Sequence, residues 1–229
     1  RVYDQVAKEF IAWVEVQKGG KDREEGERRE VFINGALARV AKLQQVSAGF
    51  IYDERGRGLR MKRSPKMDEA VEIVRELARS RKVIVWCWFR EEVIWALEAL
   101  SAELGSEGVT FVDGSVRDED REDRIRRFAV SPVLRAMIAQ VATMGFGVNL
   151  QQASAAIYLT NPWSLEKRTQ SEARIHRMGQ KNTCLYVDLV CPGTVDVSVL
   201  EALRRKSDVG RLITSKQWER FTKGEEKDA

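Results

Sequence analysis

The chain has 229 residues, 43% of them hydrophobic and 32% charged, with a formal net charge of +4. That length allows one large domain, or one domain with an appendage, and a core that buries about 70–75% of the unfolded surface without help from disulfides or metals. The balance excludes a low-complexity chain, no apolar run approaches the roughly 18 residues of a membrane helix, no signal-peptide pattern opens the chain, and the slight basicity argues only weakly for a polyanionic partner.

Residues 1–17 carry Val2, Val6, Phe10, Trp13 and Val14 at helical steps, which predicts a helix. The Gly- and charge-rich stretch from Lys18 to Glu30 reads as a solvated loop, and Val31 to Val46 as a second helix through Leu37, Val40, Ala41 and Leu43. From Asp53 to Lys66, six basic residues stand among the glycines Gly56 and Gly58 and form a basic, flexible connector. Ser64 before Pro65 then supplies a helix start, an N-cap serine with proline in the first turn.

Beyond Arg81 short apolar runs alternate with amphipathic ones. The expected strands are Val83–Trp88, Thr110–Val112, Ala136–Val141, Ala156–Thr160 and Cys184–Val190. The expected helices are Glu91–Leu104, Asp118–Ala129, Ser164–His176 and Val195–Arg205. This alternation predicts an α/β fold, a parallel sheet with helices on both faces and ligand-binding loops at the strands' carboxyl ends. Cys87, Cys184 and Cys191 are too scattered for a disulfide scaffold and read as reduced thiols of an intracellular protein. Arg1 in place of methionine suggests a fragment of something longer.

Two segments carry chemistry. Gln170, Arg174 and Arg177 fall at i, i+4 and i+7 of the expected helix, so two guanidiniums and an amide share one face suited to phosphate oxygens. By itself this is equally an exposed arginine face. Upstream, Gly145 and Gly147 follow a strand, where exposed amides at a helix start can receive an anion. A plain strand-to-helix turn has the same look.

Together the segments resemble motifs V and VI of the superfamily 2 helicases, in the Swi/Snf-like branch of DNA translocases. Gly145 to Leu150 matches a Gly-x-Gly-x-Asn-Leu block, and Gln170 to Gln180 matches Gln-x-x-x-Arg-x-x-Arg-x-Gly-Gln. Between them lies Asn161-Pro162-Trp163. Lys82 to Phe89 resembles motif IV, Asp113-Gly114-Ser115 with Arg121, Ile125 and Phe128 the next block, and Gly193-Thr194-Val195 the opening of the helix after motif VI. Met144 departs from the usual glycine, and Ala142 from a longer polar or charged residue.

The resemblance implies a RecA-like C-terminal lobe of the P-loop NTPase type over residues 64–206. A helical protrusion and basic connector over 1–63 precede it, and a charged tail over 207–229 follows. It implies that Arg174 and Arg177 neutralise the γ-phosphate of ATP as arginine fingers, with Arg177 foremost and Gln170 ordering the network. Gly145, Gly147 and Asn149 lie near the nucleotide. Gly114, Ser115, Arg121 and Thr143 contact the phosphates of double-stranded DNA or brace the loops that do. No Walker A sequence or Asp-Glu metal pair occurs, so ATP and Mg²⁺ belong to an N-terminal ATPase lobe, and this chain alone is expected to be inactive, with no metal site of its own and no membrane partner. His176 reads as a structural hydrogen-bonder, and Trp86, Trp88 and Trp95 as core. A restriction-type translocase subunit and a non-catalytic DNA-binding regulatory module remain alternatives. A DEAD-box RNA helicase does not, because Gln170, Ser171 and Ala173 replace its histidine, arginine and glycine. Cytoplasmic placement in a prokaryotic or viral host is expected over a nuclear one.

Overall fold

The computed structural model describes Tyr3 and residues 11–16, 27–32, 36–143 and 148–205. The chain divides into two compact units, residues 1–66 with 190–229, and residues 67–189.

In the first unit β1 (Ile11–Val16) pairs antiparallel with β2 (Glu27–Phe32), Ile11 opposite Phe32. Helix α1 (Ala36–Ser47) follows, and then a second hairpin, β3 (Phe50–Tyr52) with β4 (Gly58–Arg60). Its turn is built on Asp53, whose carboxylate accepts from the backbone of Arg55 and Arg57 and from the Arg57 guanidinium. Helix α2 (Pro65–Leu77) leads into the second unit.

There the order is β5 (Val83–Cys87), α3 (Arg90–Leu104), β6 (Val109–Val112), α4 (Asp118–Val130), β7 (Ala136–Gln140), a 3₁₀ turn (Val141–Thr143), β8 (Ala155–Tyr158), α5 (Leu165–Glu172) and β9 (Leu185–Asp188). The strands form one parallel sheet, ordered β6-β7-β5-β8-β9, with Val83 of the central strand level with Ala136 and Ala155. Strand periodicity sends Val83, Val85 and Cys87 to one face, against Met67, Ala70 and Val74 of α2 and Val93, Ala96 and Leu100 of α3. Ile84 and Trp86 go to the other, with Phe128 of α4, Leu150, Tyr158 and Ile175. Trp86 and Tyr158 stack with centroids 6.3 Å apart. Each such large apolar side chain stabilises the fold by roughly 1.5–3 kcal/mol through burial. Helix α6 (Val195–Arg204) returns to the first unit, where Asp196 pairs with Lys66 at 2.6 Å and accepts from Ser47 and Cys191.

The five strands and their helices lie where the apolar runs predict. The amino-terminal expectations need correction. Residues 11–16 are a strand rather than part of a helix, and residues 27–32 are a strand where a loop and a helix start were expected. Short apolar runs satisfy both periods, and the pairing of β1 with β2 is a non-local contact that periodicity does not register. The basic connector is likewise a hairpin, because the Asp53 turn closes it. The rest of the expected helix at 1–17 and loop at 18–30, and the tail at 207–229, lie outside the described residues.

At the carboxyl edge one buried carboxylate ties three elements together. Glu92, 1% exposed, accepts from the backbone amides of Trp88 and Phe89, both at 2.9 Å, and from the Thr160 hydroxyl beyond β8. Glu92→Ala orphans two buried amides and a hydroxyl, each costing about 1–3 kcal/mol. Chemical denaturation is expected to show a loss of at least about 2 kcal/mol, with Glu92→Gln losing less.

Candidate functional site

Helix α5 starts where the Ser164 side chain accepts from the Lys167 amide, and it ends at Glu172. The backbone then tightens: Arg174 N–H donates to Ser171 at 3.3 Å, and the Ile175 and His176 amides both donate to the Glu172 carbonyl. This corrects the expected helix to His176, and Gln170, Arg174 and Arg177 do not share one helical face. The cause is Ile175, which is fully buried in the core that holds Leu150 and Tyr158. Burying it turns the chain, and the Arg174 carbonyl then accepts from the Leu150 amide at 2.9 Å.

The two arginines end in different surroundings. Arg174 is 9% exposed, and its buried Nε has no hydrogen-bond partner among the described residues. Burial first, and then the Arg177 charge, pull its guanidinium below its ordinary pKa. Arg177 is exposed, and among the described residues it reaches the Val148 carbonyl, at 3.5 Å. Gln170 donates to Glu166 at 2.8 Å within α5. His176 is exposed.

Gln180 fastens the turn. Its amide nitrogen donates to the carbonyls of Gln151 and Ala153 at 2.9 Å and of Ile175 at 3.3 Å, and its oxygen accepts from the Asn182 amide. Gly179, at φ +97°, allows the close approach, since a Cβ there would stand 3.3 Å from the Gln151 side-chain oxygen. Asn149 is exposed and accepts from the Gln151 amide. Gly145 and Gly147 lie outside the described residues.

A second group lies after β6 and β7. Asp113, 2% exposed, accepts from the backbone and hydroxyl of Ser115 and pairs with Arg90 at 3.4 Å. Burial acts to raise its carboxyl, but the Ser115 hydrogen bonds and the Arg90 charge outweigh it and hold it below the ordinary range. Gly114 is exposed, and a Cβ on it would touch the Thr143 methyl at 3.6 Å, so Gly114, Ser115 and Thr143 adjoin. Arg121 turns back on its own loop, to the Val116 carbonyl and Asp118.

Of the tryptophans, Trp86 and Trp95 pack in the core, while half-buried Trp88 stands 6.1 Å from Trp163 with Lys167 over its ring. Sequence reasoning missed Glu92, Arg168 and Asp188 at this edge. Nothing in a charged helical position or a strand-end aspartate marks it as buried. Among the described residues no group of three or more His, Cys, Asp or Glu side chains could hold a metal ion.

With the geometry in place, similarity to known proteins is informative. The family model described as "Helicase conserved C-terminal domain" matches residues 65–179. The "TATA-binding protein-associated factor mot1" of Aspergillus fumigatus is 28% identical over 137 residues, 59% of this chain and 7% of that protein. The human "Chromatin-remodeling ATPase INO80" is 27% identical over 104 residues, 45% of this chain and 7% of that protein. The chain thus spans a small part of these relatives' length. The Sulfolobus solfataricus SWI2/SNF2 ATPase core, solved in complex with double-stranded DNA, superposes with a TM-score of 0.64 at 22% identity, over 81% of this chain and 41% of that one. The sheet and its helices have the RecA-like second-lobe fold. The relatives correct one expectation. The two sequence relatives, mot1 and INO80, come from eukaryotes, and the second is named a chromatin-remodelling ATPase, which contradicts the expectation of a prokaryotic or viral cytoplasmic placement over a nuclear one.

The Gln180 contacts generate a prediction. Gln180→Ala removes the one amide nitrogen that serves three part-buried carbonyls and is expected to lower stability by about 2 kcal/mol. Hydrogen exchange of the amides from Arg174 to Gln180 should quicken, while the β5 amides keep their protection.

Proposed function

Because the chain belongs to the helicase conserved C-terminal domain family, we propose that it is the second motor lobe of an ATP-driven translocase on double-stranded DNA. Residues 64–206 form the lobe, 1–63 an appendage with a basic hairpin, and 207–229 a charged tail. A first lobe, elsewhere in the full protein, would hold ATP, which supplies the phosphoryl group to be hydrolysed, and the Mg²⁺ that would neutralise charge on it. The relatives support this reading, one bearing the name of a remodelling ATPase and one solved on duplex DNA.

One observation carries the proposal. Two arginines stand on a turn pinned by Gln180 and by the buried Ile175, one with an unpartnered guanidinium nitrogen and the other exposed. A guanidinium fork held in place neutralises phosphate charge without reorganising at the moment of reaction. Arg177 meets the γ-phosphate oxygens and Arg174 adds positive potential behind it. Asn149 joins them in meeting the nucleotide, and the motif assigns Gly145 and Gly147 the same role. The fit to a nucleotide rests on these phosphate-seeking groups, and the Mg²⁺ ligands are assigned to the first lobe.

For DNA, Gly114 and Ser115 offer a small exposed surface beside half-buried Thr143. The Ser115 amide and hydroxyl donate to Asp113 and the Thr143 hydroxyl to the Gln140 carbonyl, so these residues hold the loops that meet phosphates, and Arg121 braces the first of them. The hairpin adds charge at Arg55, Arg60, Lys62 and Arg63. Arg57 is committed to Asp53 at 2.8 Å and contributes less.

Two measurements test this reading. In the full protein with saturating duplex, Arg177→Lys keeps the charge and loses the fork, and turnover is expected to fall on the order of 10²-fold with DNA affinity unchanged. Steady-state ATP hydrolysis within about threefold of wild type would defeat the finger assignment. Duplex binding should ignore sequence and weaken with salt, log K falling by about 0.9 per log unit for each phosphate neutralised. Arg55→Glu with Lys62→Glu should weaken every duplex alike and flatten that slope. A titration insensitive to salt would exclude phosphate tracking.

A further inference from the structure

Arg168 is the most heavily engaged charged side chain of the second unit, although no motif points to it. It is 9% exposed on the inner face of α5. Its Nε donates to Glu172 at 2.7 Å, its Nη1 to both Asn161 and Asp188, and its guanidinium carbon lies 3.6 Å from the centre of the Tyr158 ring. Asn161 donates in turn to Asp188 at 2.9 Å. Around this centre the Tyr158 hydroxyl bonds Ser171 at 2.7 Å, and the Tyr186 hydroxyl donates to the Glu172 carbonyl at 3.2 Å. That carbonyl is the one that receives the Ile175 and His176 amides where the helix gives way to the arginine turn.

We propose that Arg168, paired with Asp188, is a positioning residue for Arg174 and Arg177, fixing the place and angle at which α5 leaves the carboxyl ends of β8 and β9 and runs to the arginine turn. The inference rests on the reading of the arginine turn as the phosphate-facing group. The physical argument is a comparison of what such a pair does for stability and for geometry. A buried ion pair is a weak source of net stability, because taking both charges out of water offsets most of their attraction. Its strength is directional. The guanidinium has a fixed plane, and here it ties three elements together: Nε holds α5 itself through Glu172, while Nη1 reaches both the β8 exit at Asn161 and the β9 end at Asp188. An apolar side chain of the same size fills the space equally well but leaves α5 able to slide or rotate on the sheet. Arg174 is the second residue after the helix end and Arg177 the fifth, so a small rotation of α5 is carried straight into both guanidiniums. Misplacement of a charge-neutralising group by about 1 Å is enough to cost on the order of 10²-fold in rate.

The test uses the full protein, with Arg168→Met and Asp188→Leu combined so that no charge is stranded, and Arg168→Lys and Arg177→Ala beside them. The combined variant is expected to fold with a melting temperature within a few degrees of wild type. It should keep its KM for ATP and its duplex affinity, and lose at least tenfold in DNA-stimulated kcat. Arg168→Lys, with one nitrogen in place of three, should fall between. Hydrogen exchange at residues 173–180 should quicken in the combined variant while β8 and β9 stay protected. If Arg177→Ala abolishes turnover but the combined variant keeps both wild-type kcat and wild-type exchange, Arg168 has no positioning role. If Arg177→Ala leaves turnover intact while the exchange of 173–180 rises in the combined variant, the finger reading fails and the positioning of the turn by Arg168 stands.

Discussion

Parallel strands cannot be joined by tight turns, and the organisation of the second unit follows from that constraint. Each of the five strands must be reached by a crossover, so all five carboxyl ends emerge on one edge. The chain begins at the centre with β5, moves out to β6, returns through β7, and then passes β5 to reach β8 and β9. The loops after β6 and β7 thereby stand on one side of the central strand and those after β8 on the other. The Asp113–Ser115 turn and Thr143 belong to the first side, and the start of α5, with Asn161, Arg168 and Asp188, belongs to the second; the arginine turn follows the helix and lies beside residues 150–153, which lead into β8. Neither group is near the other in sequence, and the sheet alone makes them features of a single edge.

That edge is polar at places where water is excluded, and each buried charge there is answered. Glu92 receives two backbone amides and a hydroxyl, Asp113 receives Ser115 and Arg90, and Arg168 receives Asp188, Glu172 and Asn161. An unanswered buried charge costs several kcal/mol, so these groups are conditions for the loops to hold their shape rather than additions to stability. Arg174 is the departure from this pattern. It is nearly as buried as Arg168, yet its Nε is unpartnered and a second arginine lies three residues away. Strain of this kind collects at sites whose compensating group comes from outside the fold.

Much of the lobe was legible in the sequence, because runs such as Val83–Cys87 and Ala136–Gln140 are buried on both faces and read as continuous apolar strands. Motif spacing marked Arg174, Arg177, Gly114 and Thr143. What stayed hidden depended on contacts distant in sequence. The pairing of β1 with β2 makes residues 11–16 a strand where Trp13 and Val14 suggest a helix, and Ile175 ended α5 one turn before the helical pattern runs out. Arg168 and Asp188 are twenty residues apart, and their burial appears only once β9 lies beside β8. A helical wheel puts Gln170, Arg174 and Arg177 in line. The fold instead separates them, leaving the amide bonded within α5, one guanidinium inside and one outside.

That separation bears on how the two arginines can act on an anion. Two like charges close together repel, the more so where one of them is largely out of water. Burial deepens the cost for Arg174, and the direction of its pKa records both effects. A phosphate placed against this turn relieves the desolvation of Arg174 and the mutual repulsion together, so the gain from binding exceeds that of two independent surface arginines. The gain is available only while the turn cannot relax to separate the charges by itself. Gln180 on one side, through three carbonyls, and Ile175 on the other, through the core, deny it that relaxation. The turn's rigidity therefore determines its affinity for charge: a looser loop with the same two arginines would be more stable unbound and would hold a phosphate less tightly.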